Sequence, residues 1–183
     1  MTAADIVEVI RKDDWMMAVL RAVRSLDLPD WWIGAGFVRS KVWDVLHDYH
    51  VRTPVPDIDV IYFDRITTTE ADEQVFQDRL SQLLPDLSWS VTDQARMHYD
   101  KHDLPYANAA EGLSTWVETP TCIGVKLTDD DQLILVAPWG IDDLINLKVR
   151  ANPHCGTNPQ RFIERMKTKQ WQKKWPKLEI IQP

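Results

Sequence analysis

The stretch from residue 33 to residue 64 constrains the fold more than any other part of the chain. A short apolar strand runs into the turn Gly34-Ala35-Gly36, a helical segment follows, and a loop interrupted by prolines leads to a second apolar strand. Glycines let a phosphate approach the backbone closely at the start of a helix. The turn therefore suits a phosphate, although a plain tight turn between strand and helix explains the same residues.

Two aspartates, Asp57 and Asp59, open the second strand, whose other residues are apolar. Successive side chains of a strand alternate between its faces, so these two carboxylates project on the same side. Carboxylates this close repel each other unless a cation lies between them, and Mg²⁺ prefers such oxygen ligands. The pattern predicts a site for a nucleoside triphosphate and its metal, with an ion pair to Arg39 or Arg52 as the structural alternative.

The composition is that of one globular domain. The chain has 183 residues, of which 44% are hydrophobic and 27% charged, and we divide it into a core over about 1–100 and an extension over 101–183. No apolar run reaches the roughly 18 residues that span a bilayer, and the acidic N-terminus does not resemble a signal peptide. With Cys122 and Cys155 expected as free thiols, the sequence predicts a cytoplasmic protein without a membrane partner.

Hydrophobic spacing and turn signals predict helices alternating with strands. Helices are expected over 2–26, 37–48, 69–84 and 141–147, strands over 31–34, 57–63 and 88–98, and a β-hairpin over 121–137. Asn158 and Pro159 are typical of a helix start, and this last helix is expected to end near Trp175. The order predicts an α+β (mixed α/β) domain with a C-terminal hairpin and helices.

Positive charge is concentrated near the C-terminus. Residues 161–177 contain seven Lys/Arg, with Trp171 and Trp175 between them. Such a segment can hold a nucleic-acid strand by phosphate pairing and stacking, or it can pack its aromatic side on the body with the lysines outward. We favour the packed arrangement.

Three other polar groups carry structural interpretations. His98 and His102 lie close in sequence, but no further ligand completes a zinc site. The acidic run 129–131 is expected as a solvated hairpin turn. Asp142 and Asp143 are expected in the first turn of a helix, where negative charge is favourable.

The whole pattern of strand, glycine turn, helix with an early arginine, loop and DxD strand resembles the polymerase-β-type nucleotidyltransferase superfamily. The form is nearest to the head of tRNA CCA-adding and poly(A)-polymerase-like enzymes: Ala35-Gly36 stands for a glycine pair, Val38-Arg39 for a V-R pair, and Ser40 replaces an aspartate. Over most of its length the chain is also similar to a largely uncharacterised bacterial family of nucleotidyltransferases, through GAGFVR, VWD, DIDVIYFD, QARMH, APWGIDDL and the terminal Trp175-Pro176.

The resemblance implies a small mixed sheet flanked by helices and a metal-dependent transfer. In this superfamily three carboxylates hold two Mg²⁺ (or Mn²⁺) ions. Asp57 and Asp59 fit the first two ligand positions. Asp93, on the next predicted strand, is the candidate for the third catalytic and metal-binding position, and Asp64 is an alternative that we interpret instead as a strand-end cap.

The resemblance also implies the substrates. Gly34, Ala35, Gly36 and Arg39 would bind the triphosphate, and a hydroxyl of a small molecule, a protein or an RNA end would attack the α-phosphate while pyrophosphate leaves. The alternative is a catalytically inactive module of the same fold that binds a nucleotide or a partner.

Overall fold

The computed structural model describes residues 1–66, 69–101, 104–154 and 159–183; the predicted cap Asn158, together with His102 and Cys155, lies outside the described residues. The helices are α1 (Ala3–Arg11), α2 (Asp14–Arg24), α3 (Gly36–Leu46), α4 (Glu70–Leu83), α5 (Gln94–Lys101), α6 (Ala109–Ser114), α7 (Asp142–Ile145) and α8 (Pro159–Lys169). The strands are β1 (Trp32–Gly34), β2 (Ile58–Tyr62), β3 (Trp89–Asp93), β4 (Gly124–Leu127), β5 (Leu133–Val136), β6 (Lys148–Arg150) and β7 (Glu179–Ile181).

Side-chain caps mark the start of α1, α2 and α4. Thr2 and Thr69 each form a capping box with the acid three residues later, at α1 and α4, and Asp13 caps α2 by accepting from the Met16 amide at 3.1 Å. A cap satisfies amide groups that have no partner inside the helix, and it contributes about 1 kcal/mol. These caps fix the start of all three helices.

A five-stranded mixed sheet with the order β3-β2-β1-β4-β5 forms the centre of the molecule. β2 and β3 are parallel, joined through α4, whereas the pairings of β1 with β2, β1 with β4, and β4 with β5 are antiparallel. The predicted small mixed sheet with flanking helices is confirmed. The division into a core over 1–100 and an extension over 101–183 stays a prediction, and β4 and β5 of the latter belong to this same sheet.

The two faces of the sheet have different surroundings. One face carries Ile33, Val60 and Val91 into the main hydrophobic core, which also contains buried residues of α1 to α4. The other face carries Trp32 and Ile61 into a small cluster with α6. Because the sheet register pairs Asp59 with Ser90 and Tyr62 with Asp93, Asp59 lies on the second face and Asp93 on the first.

Two element predictions need correction. The strand predicted over 88–98 ends at Asp93, and α5 begins at Gln94, so alternation in the sequence continued past the end of the strand. The last helix ends at Lys169 and not near Trp175, because Gln170 adopts a left-handed conformation with φ 46° before a 3-10 helix at Trp171–Lys173. The pairing of β6 with β7 had no signal that we recognised.

The C-terminal aromatic residues close the core beneath α3. Trp175 is 2% exposed and Trp171 6%, and both rings meet Trp43 edge-on at centroid distances of 5.1 and 5.5 Å. The indole of Trp175 donates to Asp44 at 2.8 Å. The predicted packed arrangement of this segment is confirmed.

Within the described ranges, no helix combines the length and the apolar character needed to cross a bilayer.

Candidate functional site

Asp57 and Asp59 stand at the beginning of β2, on the face that the main core leaves uncovered. Asp59 is the second residue of the strand and is half-buried, while Asp57 precedes the strand and is exposed. Arg52, a possible ion-pair partner, instead contacts Asp13 at 2.5 Å. Among the described residues neither carboxylate forms a salt bridge, so their charges are not compensated by a direct ion pair.

The environment of Asp59 works against its negative charge. Burial, and after it the like charge of Asp57, raises the pKa of Asp59 to about 6, while Arg39, Arg165 and Lys169 act in the opposite direction. Removing water from a carboxylate and placing a second one nearby both disfavour ionisation. A cation between the two groups would relieve this repulsion.

The turn between β1 and α3 has an unusual backbone. Ala35, which precedes the first residue of α3, adopts φ 44° and ψ −113°, a conformation that side chains with a Cβ rarely occupy. A Cβ on Gly34 would lie 2.9 Å from the ring of Trp116, so this glycine is explained by packing. A Cβ on Gly36 would meet nothing closer than 3.5 Å, so packing does not require this second glycine.

Arg39 lies in the first turn of α3, and its side chain lines the site. Its side chain is 8% exposed and stacks over Trp171 at 4.2 Å from the ring centroid. Its Nε has no hydrogen-bond partner within the described ranges. Burial lowers the pKa of Arg39 to about 10, so the group remains a cation at neutral pH. A buried cation with a free donor is suited to an anionic ligand.

A basic cavity of about 220 Å³ joins these parts. Ala35, Gly36 and Arg39 line one side, and the two aspartates with the proline loop line another. The remaining wall carries three cations from α8 and the segment after it, namely Arg165, Lys169 and Lys174. Positive charge around the start of a helix suits a triphosphate.

Arg165 is fixed by a buried acid. Glu118 is fully buried; it accepts from Nε of Arg165 at 2.5 Å and from the Thr121 hydroxyl at 3.1 Å. A buried carboxylate is stable only when it is paired. Because Glu118 takes the Nε position, the outer nitrogens of Arg165 remain available for a ligand in the cavity.

A second cavity of about 260 Å³ adjoins the first. Ala35, Asp59 and Arg165 line both. The second cavity lies over the later part of β2, with Ser90 and Thr92 of β3 in its floor and Trp116 in its wall. Asp59 therefore opens onto a basic space on one side and a mixed polar and apolar space on the other, whereas Asp57 lines the basic space alone.

The structure does not bring Asp93 to Asp57 and Asp59, which corrects its expected place in the site. Asp93 pairs with Tyr62, three residues beyond Asp59 along the parallel register, and it faces the main core. Its Oδ1 accepts from the amides of Asp64 and Ala95 at 3.1 and 2.9 Å. Asp93 lies on the same face of β3 as Trp89 and Val91, and that face is buried.

The other predicted candidates also take structural positions. Asp64 accepts from the amide of Ile66 at 2.8 Å, as a strand-end cap. Arg96 pairs with Glu73 at 2.5 Å, and the same Glu73 accepts from the amide of Asp93. No group of three metal-ligating side chains occurs in the described part of the chain, and His98 is buried near Tyr106.

Two carboxylates are nevertheless enough for one kind of metal site. Mg²⁺ is commonly held by one or two carboxylates together with substrate phosphates and water, and less often by a cage made of protein alone. Asp57 and Asp59, uncompensated and beside a cavity that suits a triphosphate, fit that arrangement.

The sequence interpretation missed the residues that α8 contributes. Arg161, Arg165 and Lys169 are spaced by four residues, which places them along one side of a helix. That spacing was visible in the sequence, but the charge run had been divided between a nucleic-acid surface and a solvated face. Glu118 carried no comparable signal, because an isolated acid before a proline resembles any loop residue.

Comparisons with known proteins place the chain in a family. A family model described as Nucleotidyltransferase matches residues 21–180. One solved protein, whose NMR structure is described as revealing a CCA-adding enzyme head domain, is 30% identical, with a TM-score of 0.88 over 100% of this chain and 97% of that one. Among functionally curated proteins, no sequence matches.

Two larger enzymes share the fold. A CCA-adding enzyme in complex with CTP is 14% identical with a TM-score of 0.60, and the match covers 99% of this chain and 43% of that one. The Thermotoga maritima CCA-adding enzyme in complex with tRNA is 17% identical with a TM-score of 0.59, covering 96% and 42%. The chain thus spans less than half the length of these two enzymes.

Proposed function

Because the chain belongs to the nucleotidyltransferase family and has its polymerase-β-like fold, we propose that it moves a nucleoside monophosphate from a nucleoside triphosphate to a hydroxyl acceptor, releasing pyrophosphate. The observation that carries the proposal is the pair Asp57 and Asp59, which form no ion pair with any described residue, at the edge of a cavity lined by Arg39, Arg165 and Lys169.

The charges around the cavity support a triphosphate as the ligand. The β- and γ-phosphates would lie at the turn of Ala35 and Gly36, where the cavity reaches the start of α3. Arg39 of α3 and Lys169 of α8 both line this cavity, so their positive charges would neutralise the phosphates. The α-phosphate would then lie beside Asp59.

Asp57 and Asp59 would hold the divalent cation, Mg²⁺ or Mn²⁺, that we expect for this reaction. Such an ion supplies charge neutralisation at the α-phosphate and activates the acceptor hydroxyl. Arg165, held by Glu118, would orient the triphosphate and stabilise charge that develops on the leaving pyrophosphate. No serine or cysteine of the protein needs activation, since the nucleophile belongs to the acceptor.

A second function has one observation in its favour. With Asp93 on the other face, the described residues offer only two carboxylates at the site. A module that binds a nucleotide without turnover would need no more. Binding without release of pyrophosphate would distinguish this second function from the first.

Thermal unfolding with each of the four ribonucleoside triphosphates and Mg²⁺ tests the site. Ligand at 100 times its Kd stabilises the folded chain by about 2.7 kcal/mol, which corresponds to a rise in Tm of roughly 5–10 °C at this chain length. We expect that rise with at least one triphosphate, and we expect Asp59→Asn to abolish its dependence on Mg²⁺. Release of pyrophosphate from the same triphosphate then separates transfer from binding alone.

Two variants serve as controls. Asp129→Asn removes an exposed carboxylate from the hairpin turn and should leave the shift unchanged. Asp93→Asn changes a carboxylate on the opposite face and should lower the baseline Tm while keeping the Mg²⁺-dependent shift. Equal shifts in the native chain and in Asp59→Asn, or none in either, would refute the proposed site.

A further inference from the structure

We propose that the 260 Å³ cavity over β3 is the acceptor site, and that the acceptor is a small hydroxylated molecule carrying a phosphate or similar anionic group. This inference rests on the proposed function. It names the second substrate by chemical class, as a small molecule in preference to a polymer end.

The two cavities lie one after the other along β2. Asp57 lines only the basic cavity, Asp59 lines both, and Ile61 lines only the second. Helix α8 repeats this order on the opposite wall, because Lys169 lines the basic cavity, Arg165 both, and Arg161 the second. The two cavities therefore follow each other along both β2 and α8, and Asp59 lies where they meet.

This order matches the geometry of in-line transfer. The attacking and leaving oxygens lie on opposite sides of the phosphorus. With pyrophosphate leaving into the basic cavity, the hydroxyl must approach from the far side of Asp59, where the second cavity opens. The acceptor oxygen forms the new bond to the α-phosphorus, the bond from that phosphorus to the pyrophosphate oxygen breaks, pyrophosphate takes the electron pair, and the hydroxyl proton passes to water.

The lining of the second cavity suits a hydroxylated molecule. Ser90 and Thr92 face it from β3, in the register positions beside Asp59 and Ile61. Gln94 is 2% exposed, and its Oε1 has no hydrogen-bond partner among the residues that the structure describes. A buried acceptor left unpaired costs about 1–3 kcal/mol, so a ligand hydroxyl that donates to it would bind favourably. Trp116 also lines the cavity, and its aromatic ring can pack against the carbon skeleton of a ligand.

Charge and size narrow the class further. Arg161 and Arg165 stand on one wall, and Asp59 at the catalytic end is the one acid that lines the cavity within the described ranges. The far end therefore favours an anionic group. A volume of about 260 Å³ is below the roughly 300–1,000 Å³ of pockets for drug-sized ligands. A sugar phosphate or a polyol phosphate has the appropriate size and charge.

NMR of the chain labelled with ¹³C in its methionine methyl groups reports on this cavity directly. Met97 lines it, and Met166 lines a separate pocket and serves as an internal control. The probes are ribose 5-phosphate and glycerol 3-phosphate, with ribose and inorganic phosphate as matched fragments. We expect a phosphorylated probe to shift Met97 and not Met166, with an affinity at least tenfold above that of either fragment.

Variants assign the contacts. Arg161→Gln and Gln94→Leu should each weaken the probe about tenfold. Arg79→Gln, an exposed arginine on α4, is the matched control and should change nothing. A second titration contains Mg²⁺ and a non-hydrolysable triphosphate analogue, and there the probe should bind together with the analogue.

The outcomes separate the two proposals. Absence of a Met97 shift with both phosphorylated probes, or an equal response to inorganic phosphate, overturns the acceptor site. Competition between probe and analogue assigns the cavity to the nucleoside, and a shift caused only by a cytidine trinucleotide assigns it to an RNA end; either result overturns the inference while the nucleotide site stands. Failure of the analogue to bind, with Met97 still responding, refutes the proposed function alone.

Discussion

At the scale of single residues, Asp59 and Asp93 show how side-chain direction decides the role of an acid. Both lie in strands that pair with each other; Asp59 is half-buried and Asp93 is buried. Asp59 opens onto two cavities, whereas Asp93 accepts from backbone amides that end β2 and start α5. The alternation of side chains along a strand thus separates the acid that we propose as a ligand-binding group from a structural one.

Ala35 is a residue at which stability and function can be separated. Its φ of 44° belongs to a region that glycine occupies readily, and a non-glycine residue there costs of order 1–3 kcal/mol. Glycine would also add entropy to the unfolded chain, which offsets part of the gain. We expect Ala35→Gly to raise the free energy of unfolding by about 1 kcal/mol, measured by urea denaturation.

A neighbouring substitution controls for this prediction. Gly34→Ala would place a Cβ 2.9 Å from the ring of Trp116, so it should destabilise the chain. If Ala35→Gly proved as destabilising as Gly34→Ala, relief of backbone strain would not describe the turn.

At the scale of elements, α8 determines the character of the site more than any strand except β2. Three of its four basic residues are spaced by four positions and line the cavities. Lys169 lines the basic cavity, Arg165 both and Arg161 the second, as Asp57, Asp59 and Ile61 do along β2. Phe162, which follows Arg161 in α8, is fully buried and holds the helix against the body. We expect the turn to bind a phosphate weakly without these cations, because Arg39 is the one cation of α3 that lines the basic cavity within the described ranges.

Lys169 provides the test of this role of α8. It contributes one cation to the basic cavity and acts on the charge of Asp59. We expect Lys169→Gln to weaken the binding of a triphosphate three- to tenfold, which is up to about 1.4 kcal/mol, and to reduce the salt dependence of that affinity. Isothermal titration at two salt concentrations measures both effects.

Lys167 is the matched control on the same helix. It is exposed and lines a separate pocket with Met166 and Trp171. Lys167→Gln should leave the affinity unchanged, and equal losses in the two variants would indicate a general effect of net charge instead of a contact in the cavity.

At the scale of the whole molecule, local sequence signals predicted the helices and strands well, and the contacts between distant elements poorly. Capping residues and the DxD strand act within a few positions, so α4 and β2 were found close to their actual bounds, while the helical stretch predicted over 2–26 divides into α1 and α2. The face on which Asp93 lies depends on which side of the sheet the helices cover, and that follows from packing along the entire chain. The same applies to Glu118, whose partner Arg165 is 47 positions away.

The family resemblance implied the arrangement of the strands, which local signals do not give, but it did not predict every side chain at the site. The order of elements implied the mixed sheet, which the structure confirms. It also suggested a third carboxylate on the next strand, but β3 presents Ser90 and Thr92 to the cavity. A shared fold fixes where a strand lies, while the side chains at its surface belong to the individual chain.

Asp13 links the N-terminal helices to the stretch that forms the site, and it makes the stability of the whole chain depend on pH. Its side chain is 8% exposed and contacts Lys41 of α3 at 2.8 Å and Arg52 of the proline loop at 2.5 Å. Burial opposes its ionisation, but Lys41, the Met16 amide and Arg52 outweigh burial, so the pKa of Asp13 lies below its usual value.

A lowered pKa in the folded state has a definite sign. The unfolded chain takes up a proton at Asp13 near pH 3.9, at a pH where the folded chain still keeps the carboxylate charged. The contribution of Asp13 is therefore fully present above that pH, and it is lost as the pH falls through the lower pKa of the folded state.

Asp13→Asn should keep the cap of α2, because asparagine caps as well as aspartate, and should lose only the charge. We expect the native chain to exceed Asp13→Asn in free energy of unfolding by roughly 1–3 kcal/mol at pH 7, and the difference to vanish as the pH falls below the folded pKa. Urea denaturation across the acid range measures the difference at each pH. Asp14→Asn, an exposed acid in the same helical turn, should differ from the native chain by less than about 1 kcal/mol. A difference for Asp13→Asn that persists undiminished in acid would show that the ion pairs do not join α2, α3 and the proline loop.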